Sequence, residues 1–109
     1  MDEQQPSLAS ALDALWAKFL PEMEERVARL ETTAAALLQS SLSEEEREAA
    51  HSAAHKLAGV LGTFGLTRGT ELARELELMF SQRSGRDPAL GGKMAEMASQ
   101  LRAIIASRK

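Results

Sequence analysis

Apolar residues recur along this chain at helical spacing, in five successive sets. Leu8, Leu12, Leu15 and Phe19 follow one another at 4-3-4 intervals, and Met23, Val27, Leu30, Ala34 and Leu37 form a second set of the same kind. Ala50, Ala54, Leu57, Leu61 and Phe64 make the third, and Gly69, Ala73, Leu76 and Phe80 the fourth. Leu90, Met94, Met97, Leu101 and Ile104 complete the series. Each set lays one apolar stripe along a helix whose other faces are polar.

The breaks between stripes carry their own signals. Pro21 suits the first turn of a helix and is expected to kink or separate the first two helices. Ser43 followed by Glu46 has the capping-box pattern and opens the third helix, expected over about residues 43–64. Gly62 and Gly65 weaken its far end, and Thr67 is a candidate cap for the fourth helix. Ser84-Gly85-Arg86-Asp87-Pro88 reads as a turn, with Asp87 as N-cap and Pro88 at the first helical position; Gly91-Gly92 leave the first turn of the last helix open. Short connections between amphipathic helices imply antiparallel neighbours. The expectation is an all-α protein, an antiparallel up-down four-helix bundle with an additional N-terminal helix across one end, residues 1–109 forming a single domain.

Composition supports that reading and narrows the function. Ala, Leu, Glu and Arg are abundant and Tyr is absent, which favours helix over strand. With 109 residues, the chain has room for one modest core and little room for the enclosed pocket of a conventional enzyme. Thirteen basic against sixteen acidic side chains give a net charge of −3, the wrong sign for a generic nucleic-acid binder. Without cysteine there is no disulfide, thiolate metal site or thiol nucleophile. No apolar run is long enough to span a bilayer, and the polar start Met1-Asp2-Glu3-Gln4-Gln5 does not resemble a signal peptide. A cytoplasmic domain is expected, with neither nucleic acid nor membrane as partner.

The third helix carries the unusual chemistry. At about 100° per residue, His55 points about 140° away from the centre of the apolar stripe, on the side shared by Glu48, His51, Gly59 and Gly62. Helical side chains lean toward the N-terminus, so the residue four positions on covers the one before it. At that position His55 has Gly59, and seven on it has Gly62. Each helix-interior glycine costs about 1 kcal/mol relative to alanine. Either the glycines leave His55 bare for something large to approach, or Gly59 permits close helix packing and Gly62 marks a frayed end.

The run Ala54-His55-Lys56-Leu57-Ala58-Gly59-Val60-Leu61-Gly62-Thr63-Phe64-Gly65-Leu66, followed by Leu72, Leu76 and Glu77, resembles the histidine-containing phosphotransfer (HPt) domain of multistep two-component relays. His55, Leu57, Gly59, Gly65, Leu76 and Glu77 match that family's signature without a gap, most closely over roughly residues 50 to 80. The resemblance implies that His55 is the phosphoacceptor, attacking through Nε2 the acyl phosphate of an aspartate in a receiver domain and passing the phosphoryl group on. It implies response-regulator receivers, and a hybrid histidine kinase, as partners. It also implies a monomeric carrier that neither binds ATP nor acts as a kinase, with no cofactor beyond the Mg2+ of the partner receiver. Imidazole suits the task because it titrates near ~6.5 and supplies a neutral nucleophile at cellular pH.

Two positions depart from the family pattern. Ala58 stands where a lysine is usual, and Val60 where a small polar residue is usual. If the third and fourth helices form a hairpin turning near Leu66, residues whose numbers sum to about 132 face one another. That places Glu77 opposite His55, as acceptor for Nδ1–H, and Arg74 opposite Ala58, where it would supply the missing charge. Lys56 points about 100° elsewhere but has a long stem that reaches back. Leu8, Leu12 and Leu15 of the first helix, with His51, are the candidate partner-docking residues, whereas Trp16 and Phe19 read as ordinary core.

Two rival readings use the same residues. Glu48, His51 and His55 have helical spacing that would hold one divalent metal ion; a di-iron site would need a second Glu-x-x-His unit, and the chain has only two histidines. A non-catalytic helical-bundle interaction module would leave His55 incidental. A kinase dimerisation domain would depend on an ATP-binding domain that this chain lacks.

Overall fold

The computed structural model describes residues 7–108; the polar start Met1–Gln5 lies outside them. Among the described residues four α-helices make the fold: α1 (Leu8–Leu38), α2 (Glu44–Thr63), α3 (Thr67–Ser81) and α4 (Gly91–Ser107), with short 3₁₀ turns at Arg83–Arg86 and Pro88–Leu90. α2 packs most extensively on α3 and α1 on α4, while α1–α2 and α3–α4 contacts close the ring. The result is the expected all-α antiparallel four-helix bundle. Met23, Val27 and Leu30 of α1, Leu57 and Leu61 of α2, Leu72, Leu76 and Phe80 of α3, and Met94 and Leu101 of α4 fill its centre, each at most 1% exposed.

The additional N-terminal helix is not a separate element. Residues 8–20 are the first half of α1, which runs through Pro21 without a break. Proline removes the N–H that would bond the carbonyl of Ala17. Both Ala17 and Pro21 are exposed, so water can serve the freed carbonyl on the outer face. Buried Trp16 and Met23 hold the helix to the bundle on either side of the defect. The first half of α1 covers the α2–α3 corner, where Trp16 meets Phe64 edge-on at 5.0 Å between ring centroids and Phe19 does so at 6.5 Å. Arg108, at the end of α4, pairs with Asp13 and lies over the rings of Trp16 and Phe64.

Local signals set the register of α2 and α3. The Ser43 hydroxyl accepts from the Glu46 N–H at 3.1 Å and the Glu46 carboxylate accepts from the Ser43 N–H at 2.9 Å, a complete capping box. At the other end, Leu66 N–H bonds the Leu61 carbonyl and Gly65 N–H bonds the Gly62 carbonyl. This is the Schellman arrangement, with Gly65 at φ +70° in the left-handed conformation it requires. Gly65 therefore ends α2 sharply rather than weakening it. Thr67 does not cap the next helix; it is its first residue, and Leu66 at the cap position makes no side-chain cap bond. The chain re-enters helix directly from the Schellman turn. Asp87 does cap, accepting from Ala89 N–H at 3.0 Å with Pro88 behind it, but it caps the short 3₁₀ turn that precedes α4.

Candidate functional site

The α2–α3 hairpin builds the site. Ala54, Leu57, Ala58 and Leu61 turn inward and are buried, which leaves His55 and Gly59 on the outer face. His55 is 70% exposed in its side chain, and its Nδ1 lies 2.8 Å from Glu77 Oε2. Glu77 stands next to fully buried Leu76 on α3 and is itself only 24% exposed. The core therefore anchors the carboxylate that orients the ring. With Nδ1–H donated to Glu77, the lone pair of Nε2 is free on the far side of the ring.

Beside His55 runs an open groove of about 590 Å3 between α1 and α2. Leu15, Phe19, Glu22 and Arg26 form its α1 wall; His55, Lys56, Gly59, Val60, Thr63 and Phe64 form the α2 wall. A Cβ built on Gly59 would meet nothing within 4 Å, so this glycine serves no close packing and leaves the surface next to the imidazole uncovered. Arg26 forms an i,i+4 ion pair with Glu22 at 3.2 Å within this groove.

Of the proposed docking residues, Leu15 lines the groove, Leu12 is half-buried and Leu8 is exposed farther along α1. His51 lies in a different depression, with Arg47, Glu48, Ser52 and Ser81. Gly62 is exposed near the end of α2, its missing Cβ facing Thr70. Arg74 is exposed on α3 and does not line the groove. Among the described residues no three His, Asp or Glu side chains are placed to hold a metal ion, so the metal trio of Glu48, His51 and His55 is not assembled. His51 and Glu48 line a depression that does not include His55.

Sequence reasoning missed the α1 wall below Leu15. Phe19, expected in the core, is half-buried and lines the groove, and Glu22 and Arg26 line it without belonging to any sequence motif. The available signal was the polar positions of α1 that flank its apolar stripe at the level of the His.

The chain matches the Hpt domain family over residues 14–107. It is 32% identical over 104 residues to Protein RcaC of Microchaete diplosiphon, an alignment that covers 95% of this chain and 16% of that protein. The chain thus spans about one sixth of the length of that relative. No solved structure gives a significant match, and no helix among the described residues is long and apolar enough to cross a membrane. A family match across nearly the whole described chain, on an all-helical bundle that presents a buttressed histidine, places this protein in the Hpt domain family.

Proposed function

We propose that His55 is the phosphoacceptor of this domain and relays a phosphoryl group between aspartates of receiver domains in a two-component phosphorelay. Histidine phosphotransfer is the activity of the family to which the chain belongs. The observation that carries the assignment to His55 is its combination of 70% exposure with a Glu77 hydrogen bond at Nδ1. The other histidine, His51, is half-buried away from the groove.

The step needs little from the bundle. The Nε2 lone pair attacks phosphorus of an aspartyl phosphate, forming the N–P bond as the bond from phosphorus to the carboxylate oxygen breaks. The bonding pair leaves with the aspartate, which returns to carboxylate. The ring keeps its Nδ1 proton and becomes cationic, and Glu77, accepting that N–H, offsets the new charge. Transfer to a second receiver is the same exchange in reverse. The Mg2+ and acid–base groups belong to the receiver; this chain supplies an oriented nucleophile and the apolar surface of Leu15, Phe19 and Val60 against which a receiver seats. It acts as a carrier without ATP-dependent kinase activity, as a cytoplasmic monomer.

Incubation with a phosphorylated receiver domain tests the assignment. Wild type is expected to acquire an acid-labile, base-stable label and His55→Gln none; equal labelling of both removes His55 from the mechanism.

A further inference from the structure

The family's usual lysine is replaced by Ala58, which is 2% exposed and faces the core. A phosphoryl group on a histidine carries close to two negative charges near neutral pH, as other protein phosphoryl groups do. Its counter-charge must come from another position. The side on which it sits follows from the ring. Because Nδ1 is bound to Glu77 on α3, Nε2 faces away from α3, and a group attached there projects toward the groove between α1 and α2. The cations of that groove are Arg26 and Lys56. Arg74 is outside it, on the helix from which Nε2 is turned away.

We propose that Arg26, assisted by Lys56, forms an anion-binding half-site for the phosphoryl group on His55, exchanging its ion pair with Glu22 for one with the phosphoryl oxygens. This rests on the phosphoacceptor assignment above. In the free protein Arg26 is held by Glu22 at 3.2 Å, with the Glu22 side chain 60% exposed, a weak surface pair. A dianionic phosphoryl group presents more charge and a forked set of oxygens suited to guanidinium, and outcompetes it. Arg26 is only 23% exposed, so its stem is already packed at the groove and little side-chain freedom remains to be lost. The charged groups around the phosphoryl position are then Arg26 and Lys56 as attractors, Glu22 as competitor and Glu77 behind the ring.

Phosphorus NMR on the phosphorylated protein tests this without a receiver. In a His51→Gln background, phosphoramidate can label only His55, its P–N bond breaking as the new N–P bond forms and ammonia leaving. A nearby cation favours the dianion, so Arg26→Gln is expected to raise the phosphoryl pKa by about 0.5 unit, the size an exposed ion pair supports. Arg26→Lys should recover part of the shift, Glu22→Gln should move the pKa the opposite way, and Arg74→Gln should match the parent. Circular dichroism checks that each variant is folded. If Arg26→Gln and the Arg26→Gln/Lys56→Gln double variant titrate like the parent, the half-site is wrong while the phosphoacceptor assignment stands. Failure of the parent to take up label at His55 removes both.

Discussion

His55 combines two demands that usually conflict: exposure enough to be reached, and order enough to react. An exposed side chain ordinarily samples several rotamers. Here the Glu77 carboxylate holds one nitrogen at 2.8 Å and the packing of α3 holds the carboxylate, so order is imported from the core through one hydrogen bond. Gly59 meets the other demand. It lies four residues from the end of α2, where alanine would be favoured by about 1 kcal/mol, and a Cβ there has open space around it. Gly59→Ala is therefore expected to raise stability by roughly 0.5–1 kcal/mol in denaturant melts. The same methyl group stands in the groove beside the imidazole, so transfer from a phosphorylated receiver should slow. Stabilisation with unchanged transfer would mean that the glycine is not there for access.

At the scale of elements, both α1 and α2 end in the same Schellman geometry, with different residues in the left-handed position. After α2 it is Gly65; after α1 it is Ser40, at φ 58°, with Ser41 N–H bonded to Ala36 and Ser40 N–H to Leu37. An L-residue in this conformation costs roughly 1–2 kcal/mol. Ser40→Gly is thus expected to stabilise the protein by about 1 kcal/mol, and a lowered or unchanged denaturation midpoint would show that the serine side chain offsets its strain. The α2–α3 hairpin was legible in the sequence because its signals are local: the Ser43–Glu46 box and the 132 register predicted the His55–Glu77 contact directly. The α1 helix was not. Pro21 is a strong local breaker, but the apolar stripe passes across it from Phe19 to Met23 at an unbroken interval of four, and tertiary packing followed the stripe. The groove was half-legible for a related reason. Its α1 wall depends on how α1 and α2 lie side by side, and no short-range pattern fixes that. Phe19 read as core because an aromatic on an apolar stripe is core until a neighbouring helix stops short of it.

At the scale of the molecule, ion pairs join elements far apart in sequence, and their response to acid is predictable. Glu31 of α1 is hydrogen-bonded and ion-paired to Arg102 of α4, and that hydrogen bond holds its carboxyl below the ordinary value of 4.5. Glu44 pairs with Arg47 and with Arg86, tying the start of α2 to the 3₁₀ turn after α3, and the Arg47 hydrogen bond lowers it too. Glu46 is lowered by the Ser43 backbone N–H that it accepts in the capping box. All three shifts have the same sign. A carboxylate more acidic in the folded than in the unfolded chain contributes stability that is fully present above its unfolded value near 4.5 and is lost as pH falls through the lower, folded value. Melting temperature should therefore change little on this account between neutral pH and about 5, then fall as the solution is made more acidic. Glu31→Gln isolates one contribution: at pH 7 it should melt a few degrees below wild type, since an ion pair of this exposure is worth at most ~1 kcal/mol. The gap should close at the acidic pH, below 4.5, at which the wild-type carboxylate is itself protonated. A gap that persists at that pH would assign the loss to packing of the Glu31 stem against α4 rather than to its charge.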